Sequence, residues 1–220
     1  MKIAPSILSA DFSRLADAIG SVEEGEADIV HLDVMDGHFV PNLTIGPPVV
    51  KALRKTTSLP FDCHLMIEEP QRYVPRFIDA GADMISVHIE ADPHLHRALG
   101  QIRDGGAKAG IAINPATAIE SLRDALPYCD YVLVMTVNPG FGGQKFIEGA
   151  VPRIRRLEQM IREDGLEVQI EVDGGVDEST ARTVVSAGAR ILVAGSAIFG
   201  RPDPVEAIRN LRASAIAERA

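Results

Sequence analysis

The sequence predicts a single closed (β/α)8 barrel, a TIM barrel taking in residues 1–220, and three observations predict it. Eight short runs rich in Ile and Val recur along the chain. Each is apolar on both parities, as strands of a parallel sheet covered on both faces must be. Between them lie stretches with helical spacing of apolar residues. No composition shift or linker divides the chain, so a strand-then-helix repeat of this regularity closes on itself rather than splitting into two domains. An open doubly wound sheet is the alternative topology.

The predicted strands are 2–4, 29–34, 61–66, 84–89, 109–113, 131–135, 168–172 and 191–194. The predicted helices are 12–24, 47–54, 70–80, 93–104, 118–125, 149–163, 178–187 and 204–218. Several open on proline or an N-cap residue and close near glycine: Pro70 with Gly81, Asp92-Pro93 with Gly105, Ser179 with Gly188. Proline suits the first helical turn, where an N–H would be unpaired anyway, and glycine suits the end. The phrases Ala80-Gly81-Ala82-Asp83 and Ala187-Gly188-Ala189-Arg190 each end a helix and turn into the next strand. The second and sixth units run to about 32 and about 37 residues, against about 30 for a simple crossover. The surplus falls directly after strands two and six, in Asp36-Gly37-His38-Phe39-Val40-Pro41-Asn42 and Asn138-Pro139-Gly140-Phe141-Gly142-Gly143-Gln144. In this architecture the active site is built from loops at the C-terminal ends of the strands.

Apolar residues make up 46% of the chain and charged ones 24%, with a net charge of −9. The balance is ordinary for a globular chain. The negative charge argues against a nucleic-acid backbone or an anionic membrane as partner, since both select a basic surface. An anionic ligand must then be held locally by glycine amides, helix N-termini or a metal. The opening stretch, Met1 to Leu8, is broken by Pro5 and Ser6 and followed by Asp11. It reads as neither signal peptide nor membrane span, so a cytoplasmic location is expected. Cys63 and Cys129 form no disulfide framework and read as buried free thiols.

Chemistry concentrates at strand ends. In His31-Leu32-Asp33-Val34-Met35-Asp36-Gly37-His38 a buried-strand pattern runs into polar residues without a break. Side chains two apart share a face, so His31 and Asp33 converge. His64 lies towards the end of strand three and Asp173 follows strand seven. Two imidazoles and two carboxylates around one barrel mouth suit a divalent metal: zinc, ferrous iron, manganese or cobalt. The alternative is a hydrogen-bonded network of core histidines and acids. His88 ends strand four and is a weaker ligand candidate, His94 and His96 read as surface residues, and His38 reads as a loop residue bonded near Asp36.

Three glycine-rich turns follow strands six, seven and eight: Gly140-Phe141-Gly142-Gly143, Gly174-Gly175 and Gly195-Ser196. Glycine lets backbone amides approach an anion closely, and phosphate sites in such barrels use the last loops. Together they point to a phosphorylated ligand, against the plainer reading of caps and tight turns. Met35, Met66 and Met135 lie at strand ends. Methionine commonly fills cores, but polarizable sulfurs here suit a site where negative charge becomes delocalised.

The chain closely resembles the ribulose-phosphate 3-epimerase family, pentose-phosphate enzymes with a barrel of the ribulose-phosphate-binding type. The resemblance rests on Ile3-Ala4-Pro5-Ser6-Ile7-Leu8-Ser9-Ala10-Asp11-Phe12, His31 through Asn42, Cys63-His64-Leu65-Met66, Asn138 to Gln144, and Asp173-Gly174-Gly175. Cys63 departs from the family pattern, where valine is common, as does Ala91-Asp92-Pro93; neither is a functional position. The resemblance implies that D-ribulose 5-phosphate and D-xylulose 5-phosphate are interconverted through a metal-stabilised 2,3-enediolate. It implies His31, Asp33, His64 and Asp173 as metal ligands, Asp33 as proton acceptor and Asp173 as donor. It places Ser6 and His64 against the substrate, and the three glycine turns, with Asp173, around its phosphate end. It also implies a homo-oligomer.

Two other functions compete. One is an epimerase of the six-carbon allulose 6-phosphate, and the other a non-catalytic sugar-phosphate sensor, which has no need of two opposed acids and a metal. A phosphosugar decarboxylase would carry Asp-x-Lys-x-x-Asp, but the corresponding run is Asp62-Cys63-His64-Leu65-Met66-Ile67.

Overall fold

A computed structural model describes residues 1–216. Among these, eight parallel strands form one sheet in the order β1-β8-β7-β6-β5-β4-β3-β2. They are β1 (Lys2–Pro5), β2 (Val30–Met35), β3 (Phe61–Met66), β4 (Met84–His88), β5 (Lys108–Ile113), β6 (Tyr131–Met135), β7 (Gln169–Asp173) and β8 (Ile191–Ala194). Every predicted strand is present, with no end moved by more than one residue. β2, β3, β4 and β6 are buried at every position, the double-faced burial that an apolar run on both parities encodes.

The sheet comes round so that β1 faces β2, and there the ladder thins to a bridge between Ser6 and His31. The chain itself explains the seam. The amide and carbonyl of Ile3 both bond to Asp28, on the β2 side, and backbone groups alternate along a strand, so Pro5 also turns towards β2. Proline has no N–H to give. Arg212 braces this end of the seam, donating to the Glu26 carbonyl at 2.7 Å and the Asp28 carboxylate at 2.8 Å.

Around the sheet lie α1 (Leu15–Glu24), α2 (Pro47–Leu53), α3 (Val74–Ala80), α4 (Leu95–Asp104), α5 (Ala150–Glu163), α6 (Ala181–Ala187), the short α7 (Ser196–Phe199) and α8 (Pro204–Ile216). The predicted tail of the last helix, to Glu218, lies partly outside the described residues. Four helices begin later than predicted because a 3-10 or Asx turn precedes them. Asp11 accepts from the Ser13 amide, Asp92 from His94, and Asp177 from Ser179 and Thr180, while Pro70–Arg72 is a 3-10 turn of its own. Asp177, not Ser179, therefore caps the approach to α6. One predicted helix, 118–125, is replaced by 3-10 turns over Ile119–Leu122 and Leu126–Tyr128; Pro127 removes a donor and disfavours helical backbone before it. Gly81 and Gly188 have positive φ as helix stops, but Gly105 does not, and Gly106 takes that role.

Two apolar layers result. Val30, Leu32 and Val34 of β2 pack outward against the helices with the main core. Ala4, Met84, Ala112, Tyr131, Leu133, Ile191 and Val193 fill the barrel interior. His31, Asp33 and Met35 fall on that interior parity. Both cysteines are buried and free.

Candidate functional site

Three strands deliver polar pairs two residues apart into the barrel: His31 and Asp33 from β2, Asp62 and His64 from β3, Glu171 and Asp173 from β7. The upper members and His31 converge. One ligand atom from each of His31, Asp33, His64 and Asp173 lies within 4.8 Å of every other. His31 Nε2 stands 3.5 Å from Asp33 Oδ1, and His64 Nδ1 stands 3.3 Å from the same oxygen and 3.8 Å from Asp173 Oδ2. Ser6 donates its hydroxyl to Asp33 Oδ2 at 2.6 Å.

This donor set fits a divalent cation. Two imidazole nitrogens and two carboxylate oxygens are an N/O set of borderline softness, and His31 Nε2 is buried without a hydrogen-bond partner. Electrostatics point the same way. Burial alone would depress the His31 imidazole, but Asp33 and Asp62 outweigh it and hold it well above the usual histidine range. The site therefore favours positive charge at this spot, which a cation supplies in place of a proton.

The two acids are not equivalent. Burial pushes Asp33 up, yet His31 and His64 outweigh it and keep the group well below the carboxylate range. Burial and the Asp33 charge push Asp173 up to about 7. Burial lowers His64 to about 4, keeping the imidazole neutral and free to ligate.

Beneath the four lies a buried layer that sequence reasoning missed. Asp62 Oδ2 meets His31 Nδ1 at 2.6 Å, and Asp62 Oδ1 accepts from the Tyr131 hydroxyl at 2.6 Å. Glu171 Oε1 stands 3.7 Å from the same His31 nitrogen. Burial and the Asp62 charge push Glu171 well above the carboxylate range. The signal was available: Asp62 and Glu171 each sit two residues before a ligand candidate, the spacing that joined His31 to Asp33.

Above the four opens a cavity of about 550 Å³. Ser6, Asp33, Asp173, Met35, Met66, Met135, Phe141, Ser196 and the glycines Gly140, Gly142, Gly143, Gly174, Gly175 and Gly195 line it. His31 and His64 lie below this lining and are fully buried. The turn after β7 requires glycine: Gly174 has φ +114° and an added Cβ would come within 2.3 Å of Val137, while Gly175 has φ +64° and a Cβ there would come within 2.4 Å of the Phe146 amide nitrogen. The two long loops meet where Asn42 donates to the Gly140 carbonyl at 2.9 Å. His88 is not among the four; it lies behind His64, with their Nε2 atoms 2.8 Å apart. His38, His94 and His96 are exposed. No helix among the described residues is long and apolar enough to cross a membrane.

Residues 2–199 match the family model described as the ribulose-phosphate 3 epimerase family. A ribulose-phosphate 3-epimerase of Bacillus subtilis is 55% identical over 97% of this chain and 99% of its own. One of Synechocystis is 56% identical over 96% of this chain and 93% of its own. The chloroplastic enzyme of Arabidopsis thaliana is 53% identical over 96% of this chain and 76% of its own. Among solved structures, a 3-hexulose-6-phosphate synthase superposes with a TM-score of 0.75 at 22% identity, covering 97% of this chain and 99% of its own. An orotidine 5'-phosphate decarboxylase of Pyrococcus horikoshii superposes with a TM-score of 0.72 at 16% identity, covering 98% and 100%; these two likenesses concern the fold.

Proposed function

The chain belongs to the ribulose-phosphate 3-epimerase family and is an epimerase, and from that premise we propose that it inverts C3 of D-ribulose 5-phosphate to D-xylulose 5-phosphate, and back, by two-carboxylate proton transfer. The observation that carries the proposal is the pair Asp33 and Asp173. They come from β2 and β7, strands separated by β1 and β8 around the barrel, so they address a flat intermediate from opposite faces. Asp33 is held ionised by its imidazole neighbours and accepts the C3 proton. Asp173 delivers a proton from the other side. In the reverse direction the two exchange roles.

An ordinary carboxylate is a feeble base towards carbon, so the oxygens on C2 and C3 need help as they gain charge. A divalent cation held by His31, Asp33, His64 and Asp173 supplies that charge stabilisation when bound. Ser6 orients Asp33 through its hydroxyl bond. Met35, Met66 and Met135 offer polarizable sulfurs at the cavity floor. Amides of Gly140 to Gly143, Gly174, Gly175, Gly195 and Ser196 take the phosphate.

Asp33→Asn and Asp173→Asn are each expected to lower kcat by about 10² to 10⁴-fold. NMR of ribulose 5-phosphate in deuterated water checks the roles: Asp173→Asn keeps washing deuterium into C3 while failing to invert it. Full epimerase activity in either variant overturns the assignment. Binding of the sugar phosphate by the metal-loaded parent without exchange at C3 would make the chain a sensor, and faster turnover of allulose 6-phosphate would move the substrate to six carbons.

A further inference from the structure

His64 does not end at the carboxylates in front of it. Its Nδ1 faces Asp33 and Asp173, and its Nε2 points the other way, 2.8 Å from Nε2 of His88. His88 Nδ1 in turn stands 3.1 Å from Glu90 Oε2. The other Glu90 oxygen accepts from the Asn114 amide at 2.9 Å and from the Thr117 hydroxyl. Arg153, on α5, donates to the carbonyls of Asn114 and Thr117 at 2.8 Å and so fixes the turn that holds Glu90. Phe39 packs on the His88 ring, centroids 4.7 Å apart, and His88 is fully buried.

We propose that His88 and Glu90 are positioning residues that hold His64 in one tautomer, with the proton on Nε2 and the Nδ1 lone pair aimed at the metal. The proposal rests on the reading of His31, Asp33, His64 and Asp173 as a metal site.

Proton counting leads there. A neutral imidazole has one N–H and one bare nitrogen. Two ring nitrogens 2.8 Å apart need one hydrogen between them. If His64 supplies it from Nε2, then His88 is bare at Nε2, carries its hydrogen on Nδ1 and gives it to Glu90. Glu90 remains an anion that receives three donors, and every hydrogen along the line has an acceptor. Reversing the line leaves the bare Nδ1 of His88 facing a carboxylate, and puts the His64 proton on the nitrogen that faces the metal. Burial raises Glu90, but His88, Thr117 and Asn114 outweigh it and hold the group near 2, as an anion. His31 is served by the same device in one step, since Asp62 takes its Nδ1 proton directly. The two imidazoles thus present opposite nitrogens to the centre, Nε2 from His31 and Nδ1 from His64, each backed by a carboxylate.

The test uses the full chain loaded with zinc. Nitrogen-15 NMR of the histidine rings is expected to show His64 metallated at Nδ1 and protonated at Nε2; metallation through Nε2 overturns the proposal without any substitution. Zinc affinity is then measured by competition with a chromogenic chelator. His88→Leu removes the acceptor and is expected to weaken zinc about 10 to 100-fold. His88→Gln restores it, through an amide oxygen towards His64 and an amide N–H towards Glu90, and is expected to recover most of the loss. A merely structural role for His88 predicts equal losses in both variants. Equal losses, or undiminished affinity in His88→Leu, overturn the proposal while the metal site stands. If His31→Ala and His64→Ala bind zinc as the parent does, the metal site falls and the proposal with it.

Discussion

Glu90 is held below the usual glutamate range, against the effect of burial, by bonds made only in the folded chain: His88, the Thr117 hydroxyl and the Asn114 amide. Its folded pKa, near 2, lies below the usual glutamate value of 4.5, so its contribution to stability is complete above about pH 4.5 and is lost as pH falls towards 2. The carboxylate is partly open to solvent, and screening reduces the full shift to about 1 to 2 kcal/mol. Glu90→Gln is therefore expected to be less stable than the parent at pH 7 by that amount, with the gap closing near pH 2; urea titrations at both pH values check it. At this scale the sequence was readable where two polar residues broke an apolar strand at its end, as with His31 and Asp33. Asp62, level with His31 in the sheet, and Glu171 follow the same spacing, but an acid inside an apolar strand reads as a network residue. Glu90 lies beyond its strand and acts through His88, a link that needs β3 and β4 paired before it can be seen.

Strand and helix order followed from periodicity, because burial on both faces of a parallel sheet leaves a direct mark on composition. Helix starts did not, since Asx turns at Asp11, Asp92 and Asp177 carry the chain into each helix with the same residues that would cap it. The failed helix at 118–125 had the right spacing but too few residues before Pro127. Within β5, Gly110 shows an element shaped by its neighbour. A Cβ there would come within 2.3 Å of the Tyr131 ring, so glycine makes room for the ring whose hydroxyl bonds Asp62. Gly110→Ala is expected to cost about 1 to 3 kcal/mol and lower Tm by roughly 2 to 12 °C, measured by calorimetry. An unchanged Tm would mean that the ring shifts freely and that Asp62 has little need of it.

Across the whole molecule, the longest loops sit over the strand ends that carry Asp33 and Met135, as the unit lengths predicted. The sequence did not reveal where the sheet joins least firmly. That place is the β1–β2 seam, where Pro5 offers no amide and a single bridge links Ser6 to His31. Strand pairing elsewhere in the sheet is continuous, so opening of the native state should begin here, well below the free energy of global unfolding. Hydrogen exchange is expected to release the Ile3 and His31 amides before those of Val132 and Leu133 in β6, and Ser6→Ala, which cuts the hydroxyl bond to Asp33, to quicken exchange at the seam alone. Uniform exchange around the barrel would rule this out. The barrel thus breathes along the line beside its own base, and the lifetime of a correctly aimed Asp33 is set by how long the first two strands stay together.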